Sequence, residues 1–273
     1  MAVNVSRIIN IMEDIAPPVL AEAWDNVGLH IGHPDWPVRS IWVSLDPLPR
    51  IVQAACMNKV DLLITHHPLF FTPVKSIDFQ TPLGSIVQSA VEHKLSIYCA
   101  HTNLDSAAGG VNEVLASAIG LDGLTPLEDT SAAGGDNREM VTGIGRVGSF
   151  HSELTLRQLV ISIKKKLGLD RVLVSGDPDM RIRSAAVCSG SGSSFVKHFL
   201  SGDAQAYISG DLKYHDARDV EMAGRALIDI GHFASEHLVV DMLVNRIRDR
   251  LFNDNMDVDI KACDLESEPF SMF

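Results

Sequence analysis

The chain has 273 residues, 46% of them hydrophobic, so it is long enough to bury one large core or two smaller ones. Its formal net charge is -12, because 35 Asp and Glu outnumber 23 Lys and Arg. Phosphate backbones are bound by clustered cations, so this balance argues against an extended nucleic-acid surface. No segment approaches the roughly 20 apolar residues of a membrane span, and we therefore expect no membrane association.

The cysteines are far apart and form no Cys-x-x-Cys pair; they are Cys56, Cys99, Cys188 and Cys263. This spacing excludes a zinc ribbon and a redox motif. Most of them lie in apolar runs, which is typical of buried thiols that behave as small hydrophobic groups. We expect a reducing, cytoplasmic setting.

Helices and strands alternate in the N-terminal part of the chain. Apolar residues at helical spacing predict a helix over 5–16 that Pro17 ends, and a turn-rich segment over 24–32 follows. This alternation predicts βαβ crossovers and a mainly parallel sheet. The next predicted elements are a strand at 40–45, a helix at 49–57, a strand at 60–65, a helix at 82–93, a strand at 95–100 and a helix at 111–119.

A second block of elements follows a small, polar segment, which we interpret as a linker over 121–138. The complete pattern predicts a two-lobed α/β fold with mainly parallel or mixed sheets flanked by helices. We expect residues 1–125 plus 226–273 to form a metal-binding lobe and residues 126–225 to form an intercalated second α/β lobe. The elements of the second block are strands at 139–147, 171–174, 184–188, 205–209, 226–231 and 257–262, and helices at 155–167, 193–200, 214–224 and 234–252.

Imidazoles and carboxylates follow three of the predicted strands, those at 60–65, 95–100 and 226–231. The carboxyl ends of strands are where open α/β sheets place their ligand sites. If the three strands are neighbours in one sheet, the side chains that follow them converge. Those side chains are His66, His67, His101, Asp105, His232 and Glu236.

The adjacent pair His66 and His67 needs a break in the strand, because neighbouring residues on a regular strand point to opposite faces. Pro68 supplies that break. Each residue also has a simpler interpretation: a strand-end imidazole as a hydrogen-bonded loop residue, Asp105 as a turn residue, and Glu236 as a charge in the first turn of a helix. The pattern as a whole favours metal binding over these separate interpretations.

Three imidazoles and two carboxylates exceed the ligand set of a structural zinc site, which is also rich in thiolates. Mixed nitrogen and oxygen ligands suit two borderline divalent ions, such as zinc, manganese, iron, cobalt or nickel. Carboxylates bridge two cations, which makes Asp105 and Glu236 the bridging candidates, and positions stay open for water or substrate, as in a catalytic site. The predicted metal ligands are His66, His67, Asp105, His232 and Glu236.

Two further histidines are the predicted catalytic residues. His101 precedes Asp105 by one helical turn, a position that suits a sixth ligand, an orienting partner or a proton carrier, and we favour the last two roles. His215 follows another short predicted strand and is expected to line the same cleft, although a helix-start histidine without a role is an equally good interpretation. The glycine-serine turn over 189–194 offers backbone amides to an anion, but we interpret it as a tight strand-to-helix turn.

Four segments occur in an order that closely resembles the Ngg-interacting-factor-like family, whose members are commonly labelled GTP cyclohydrolase I type-2 homologues. The resemblance implies a two-lobed α/β fold, a dinuclear metal site with the family's ligands at the five positions named above, and a ring-like homohexamer. It also implies that the domain inserted in the middle of some relatives is missing here, since the connection over 121–138 is short. The segments are 23–29 (AWDNVGL), 64–71 (ITHHPLFF), 100–105 (AHTNLD) and 229–236 (DIGHFASE).

Three functions stay open at this point. The first is a metal-dependent hydrolase with a small-molecule or nucleotide substrate, in which the ions acidify a water molecule while His101 or His215 moves protons. For this activity the resemblance implies opening of the imidazole ring of GTP. The second is a non-enzymatic metal-handling or regulatory protein with an exchangeable dimetal site. The third is a structural metal site that fastens the two halves of the chain.

Overall fold

The computed structural model describes residues 3–129 and 142–271. Its strands are β1 Gly28–Ile31, β2 Ser40–Ser44, β3 Leu62–Thr65, β4 Ser96–Cys99, β5 Leu121–Asp129, β6 Gly143–Thr155, β7 Leu173–Ser175, β8 Arg181–Ser191, β9 Ala206–Gly210, β10 Ala226–Asp229 and β11 Asp259–Ala262. Its helices are α1 Val5–Ile15, α2 Pro49–Met57, α3 Pro82–His93, α4 Thr102–Ser106, α5 Val111–Ile119, α6 Leu156–Leu167, α7 Val196–Ser201, α8 Tyr214–Met222, α9 His232–Glu236 and α10 Leu238–Asn253.

The first of two compact units comprises Met1–Leu104 and Val239–Phe273. Its sheet has the strand order β1-β4-β3-β2-β11. The strands run parallel to their neighbours except β1, which is antiparallel to β4. Every residue of β3 and β4 is buried, which is typical of parallel strands covered on both faces and explains their continuous apolar sequences.

Helices of the first unit pack through the apolar positions that their spacing predicts. In α1, Val5, Ile8, Met12 and Ile15 are buried on one face. The side chain of Asn4 caps this helix by accepting a hydrogen bond from the backbone N–H of Arg7 at 3.2 Å. A core cluster joins the sheet to two other helices through Leu63 of β3, Ile97 of β4, Ile51 and Val52 of α2, and Ile86 of α3.

The second unit, Asp105–Leu238, contains a sheet with the order β5-β6-β8-β9-β10-β7. β9 is parallel to both β8 and β10, and the remaining pairs are antiparallel. Its core joins Val187 of β8, Ile208 of β9 and Ile228 of β10 with Leu115 of α5 and Leu159 of α6. The two sheets, each mixed and flanked by helices, confirm the predicted fold class.

Two segments that were predicted to be irregular contain strands. The turn-rich segment over 24–32 includes β1, because antiparallel pairing with β4 supplies hydrogen bonds that the local sequence pattern does not announce. The predicted linker over 121–138 is wrong for its first part, where β5 pairs with β6. β5 is an edge strand with mostly accessible residues, so it needs no apolar alternation. The part over 130–138 lies outside the described residues.

Strand β10 belongs to the sheet of the second unit, where it lies between β9 and β7. The three histidine-bearing strands are therefore not neighbours in one sheet, and the condition stated for convergence at a single sheet edge is not met. The units also end at other residues than the expected lobes, 1–125 plus 226–273 and 126–225. The physical reason is that α5, β5 and β10 all contribute to the core of the second unit.

The long helix predicted over 234–252 is two helices, α9 and α10, separated by His237. Other predicted helices and strands lie within a few residues of their expected places, although β6 and β8 are longer. Over residues 3–129 and 142–271, none of the helices combines the length and apolar character that a membrane crossing requires.

Candidate functional site

The first group of candidate ligands lies in the first unit, after β3 and β4. The backbone N–H groups of His66 and His67 donate to the carbonyl oxygens of Ser44 (3.2 Å) and Leu45 (2.8 Å), so chain pairing continues just beyond β3. His101 follows β4 in the same way, directly before α4. One ring nitrogen of each histidine lies within 4.8 Å of the ring nitrogens of the other two. The structure thus brings these three imidazoles together.

Each of these rings is oriented by a hydrogen-bond acceptor at Nδ1. The acceptor is the carbonyl oxygen of Ala100 for His66, at 2.9 Å. It is Oδ1 of Asp46 for His67, at 2.8 Å, and Oδ1 of Asp25 for His101, at 2.9 Å. Carbonyl and carboxylate oxygens only accept, so the proton lies on Nδ1 and the ligating lone pair of each neutral ring lies on Nε2.

Asp46, which orients His67, is itself held by a carboxylate from the C-terminal segment. Oε1 of Glu266 accepts hydrogen bonds from the backbone N–H groups of Leu45 and Asp46, both at 2.8 Å. These residues follow β2, so Asp46 obeys the same strand-end rule that identified the histidines. Sequence reasoning missed both acids, and only Asp46 carried a signal that could have identified it.

Asp25, which orients His101, is fully buried at its side chain. Its carboxylate also accepts from Thr102, from Oγ1 at 2.5 Å and from the backbone N–H at 3.0 Å. Burial alone would raise the pKa of Asp25, but the hydrogen bonds from His101 and Thr102 outweigh it and hold the pKa well below its usual range. Asp25 is therefore an anion that fixes the ring of His101.

The second group of candidate ligands lies in the second unit and comprises Asp105, His232 and Glu236. His232 and Glu236 are the first and last residues of α9, so Glu236 is not in the first turn of a longer helix as expected. Nε2 of His232 lies 2.9 Å from Oε2 of Glu236, and Nδ1 of His232 bonds Oδ2 of Asp211 at 2.8 Å. A carboxylate oxygen of Asp105 lies within 4.8 Å of one of Glu236.

Glycines leave room for the buried carboxylate of Glu236. Gly190 has φ +64°, and a Cβ atom there would lie 2.0 Å from Oε1 of Glu236. A Cβ atom at Gly210 would lie 2.6 Å from backbone atoms of Gly231 and His232. The backbone N–H of Gly190 donates to Oγ of Ser235 in α9 at 2.8 Å. The glycine-serine turn over 189–194 therefore allows α9 to approach β8 closely.

Asp105 lies in α4, so its simpler interpretation as a turn residue is wrong. Nδ2 of Asn112 donates to the backbone oxygen of Asp105 at 3.1 Å, and Oδ1 of Asn112 accepts from the backbone N–H of Ser189 at 2.8 Å. Asn112 is buried and thus ties the end of α4 to β8. Sequence reasoning missed Asn112, which carries no local signal.

His215 is the second residue of α8, and its side chain is exposed. Its ring packs edge-on against Tyr214, with 5.3 Å between the ring centroids. Among the residues that the structure describes, His215 is not part of a metal-ligating group.

Both groups fit a borderline divalent metal ion. Imidazole nitrogen and carboxylate oxygen are ligands that such ions accept, and in the described parts of the chain no thiolate joins the metal-ligating groups. The close carboxylates of Asp105 and Glu236 repel each other, and Glu236 is only 4% exposed, so a cation would offset this repulsion. The donor chemistry therefore supports metal binding.

The fold and the site together define the class of the protein. It is an α/β protein of two units, and candidate divalent-metal ligands are grouped after the ends of its strands. Within that class the chain belongs to the Duf34/NIF3 (NGG1p interacting factor 3) family, whose sequence model matches residues 3–269. The family identified from the four sequence segments is therefore confirmed.

Comparisons with individual relatives support this family assignment. A Clostridium perfringens (strain 13 / Type A) protein named GTP cyclohydrolase 1 type 2 homolog is 34% identical over 251 residues, covering 92% of this chain and 94% of the relative. The solved structure of reduced HcgD from Methanocaldococcus jannaschii has a TM-score of 0.80 at 28% identity, covering 97% and 99% of the two chains. A Bacillus cereus protein related to NIF3 shares the fold, with a TM-score of 0.91, 24% identity and 100% of both chains covered.

Proposed function

We propose that the chain is a metal-dependent hydrolase with a dinuclear site. One observation carries the proposal: four imidazoles each direct Nδ1 to an acceptor oxygen, which is how proteins orient histidines that bind metals through Nε2. The fourth of these is His232, whose acceptor is Asp211. The proposed ligands to the two ions are His66, His67, Asp105, His232 and Glu236.

Two ions are favoured over one by the number and type of ligands. Asp105 and Glu236 are close enough to bind a common ion or to bridge two, whereas imidazoles bind one ion each. Five protein ligands for two ions leave coordination positions open, as catalytic sites require. Zinc, manganese, iron, cobalt and nickel all accept such a set.

When bound, divalent ions supply Lewis acidity, which polarises an electrophile and makes water more acidic near neutral pH. The chain itself supplies a proton carrier. His101 is the first choice, because its ring lies 5.2 Å from that of His66 and its Nδ1 is held by the anionic Asp25. His215 remains the second choice, as an exposed imidazole at the start of α8.

Metal analysis with matched variants tests the ligand set. Protein purified without added metal is expected to contain divalent ions, and His67→Ala and Glu236→Ala are expected to lower metal affinity by more than about tenfold. His93→Ala is the control, because its Nδ1 also bonds a carbonyl oxygen (Ser89, 2.9 Å) but its side chain is exposed on α3. Equal metal content in all four proteins would disprove the ligand assignment.

Whether the two ions share a ligand is a separate question. Titration of the same variants with metal answers it. If Glu236 bridges two ions, Glu236→Ala weakens the binding of both, whereas His67→Ala weakens the binding of one, because an imidazole binds a single ion. If Glu236→Ala removes one ion and leaves the other at its original affinity, the dinuclear proposal is wrong.

Turnover is tested on the metal-loaded protein with nucleotides, cyclic amides and phosphoesters. GTP is the first substrate to test, because the curated relatives carry the name GTP cyclohydrolase 1 type 2 homolog. A rate that His67→Ala and Glu236→Ala abolish and His93→Ala preserves supports the hydrolase. Bound, exchangeable metal without turnover on any substrate would instead support the metal-handling alternative.

The homohexamer and the cytoplasmic setting stay predictions. The mass of the protein in solution, measured by light scattering, tests the first. The four buried cysteines are consistent with the second, since none of them is part of a disulfide in the described structure.

A further inference from the structure

A cleft of about 660 Å³ lies in the first unit, and two of its lining residues contact His101. Its volume is that of a small-molecule site. Trp24 and Phe71 are 58% and 60% exposed, so aromatic surface is available for a ligand to cover. The apolar part of the lining comes from two places in the chain: Trp24, Phe70, Phe71, Pro73, Val74 and Ile77.

The aromatic wall of the cleft contacts His101. The ring centroids of Trp24 and Phe71 lie 6.1 Å and 6.4 Å from that of His101, and both contacts are edge-on. Asp25, another lining residue, accepts the hydrogen bond from Nδ1 of His101. A ligand on the exposed faces of Trp24 and Phe71 would therefore lie next to the imidazole that we propose as proton carrier.

The base of the cleft is held by side-chain hydrogen bonds to the backbone. Nδ2 of Asn26 donates to the carbonyl oxygen of Phe70 at 2.8 Å. Nδ1 of His30 accepts from the backbone N–H of Leu69 at 3.2 Å, so the neutral ring donates from Nε2 to the carbonyl oxygen of Asn26 at 3.0 Å. Burial lowers the pKa of His30, which favours this neutral form. These bonds fix the start of the loop that carries Phe70 and Phe71 and so preorganise the wall.

The charge available to a ligand in this cleft is positive. Lys75 is the single cation among the lining residues, and its side chain is exposed. The carboxylate of Asp25 already accepts hydrogen bonds from His101, from Thr102 and from the backbone N–H of Asn26 at 2.8 Å. An anionic group on the ligand would pair with Lys75 without competing for Asp25.

We propose that this cleft binds a planar aromatic ring bearing an anionic group, with the ring against Trp24 and Phe71 and the anion at Lys75. The role of this ligand as a substrate rests on the proposed function: if the chain is a hydrolase, the ligand is its substrate and lies next to His101. The edge-on contacts with His101 and the exposed cation of the cleft favour such a ligand over an apolar protein segment.

Calorimetric titration with three small probes tests the class of ligand. The probe 1-naphthalenesulfonate carries both features, cyclohexanesulfonate carries the anion alone, and 1-naphthalenemethanol carries the ring alone. We expect 1-naphthalenesulfonate to bind at least about tenfold tighter than either of the others. Equal affinity for the three probes, or no binding of 1-naphthalenesulfonate, would overturn the proposal.

Variants locate the binding. Trp24→Ala and Phe71→Ala are expected to weaken 1-naphthalenesulfonate binding about tenfold each, and Lys75→Met to weaken the sulfonate but not the methanol, with Lys75→Arg restoring affinity. Phe252→Ala is the control, since Phe252 is an 81% exposed aromatic residue on α10 of the same unit and does not line the cleft. Weakening by Phe252→Ala to the same extent, or no effect of Trp24→Ala and Phe71→Ala, would refute the site.

Titrations before and after metal removal with a chelator separate this inference from the proposed function. The probe needs no turnover, so its binding in the chelated protein supports the cleft even if the metal analysis fails. Metal binding and turnover without any probe binding would refute the cleft and leave the hydrolase proposal standing.

Discussion

Oδ1 of Asp46 lies 2.8 Å from Nδ1 of His67, and the carboxylate of Glu266 holds the backbone of Asp46 in turn. A chain of two acids thus sets the orientation of a proposed metal ligand. Outer carboxylates of this kind fix the tautomer of an imidazole and raise its basicity.

Replacing Asp46 removes that orientation while leaving every proposed ligand in place. We expect Asp46→Ala to lower metal affinity roughly 10- to 100-fold, because His67 loses its acceptor and part of its basicity. Competition titration with a metal-binding dye measures the change. Asp46→Asn is the companion variant, since its amide oxygen can still accept from Nδ1, and it is expected to lose less. An unchanged affinity in Asp46→Ala would contradict the role of His67 as a ligand oriented by this acid.

Gly190→Ala is predicted to displace the carboxylate of Glu236, because the new Cβ would lie 2.0 Å from Oε1. Gly168→Ala is a matched control: Gly168 has a similar φ of +67°, but a Cβ atom added there would have no neighbour within 4 Å. Both variants are expected to lose about 1–2 kcal/mol of unfolding free energy from the left-handed backbone. Metal affinity is expected to fall in Gly190→Ala alone, which urea unfolding and metal titration together would show.

Arg146 is a fully buried cation whose removal is expected to destabilise the second unit. Its side chain pairs with Glu113 at 3.0 Å and donates to the carbonyl oxygens of Gly143, Gly145 and Ala107. Arg146→Met leaves these acceptors without their donor, and we expect a loss of about 3 kcal/mol in urea unfolding. Arg218→Met is the control at an exposed ion pair with Glu221, where little change is expected. Equal stability of the two variants would refute a structural role for Arg146.

Asp25 gives a pH-dependent prediction. Because the folded protein holds the pKa of Asp25 below its usual range, its carboxylate stabilises the fold at pH values above the ordinary pKa of about 3.9. That contribution is lost as the pH falls from this value toward the folded pKa. Asp25→Asn is therefore expected to cost about 1–3 kcal/mol near pH 7, with a smaller gap from the parent protein near pH 3. Asp170→Asn, at an exposed carboxylate, is the control, and a gap that is constant with pH would contradict the prediction.

Much of the fold follows from apolar periodicity, and the failures have physical causes. The regular burial in α1 and the buried run of β3 are local signals that the sequence displays directly. The pairing of β1 with β4 and of β10 with β9 depends on residues far apart in the chain. Periodicity carries no information on such pairing, so the sequence predicts a strand over 226–231 without indicating the sheet to which that strand belongs.

The candidate site likewise has residues that the sequence can identify and residues that it cannot. Strand-end histidines such as His66 and His232 follow a positional rule that can be applied to a sequence. Asp46 and Asp211 also follow strands, β2 and β9, and the same rule would have identified them. Glu266 could not be identified, because it lies 220 residues from Asp46 and only the folded chain brings the two together.

The acceptors at Nδ1 are of two kinds, since His66 donates to a neutral amide carbonyl whereas His67, His101 and His232 face carboxylates. An anionic neighbour pushes electron density into the ring, and an amide oxygen does so more weakly. The rings are thus unequal electron donors, and His66 is the poorest of the four. A redox-active ion bound through His66 would receive less electron density from the ring than an ion bound through His67 or His232. Its reduced state would therefore be favoured relative to its oxidised state.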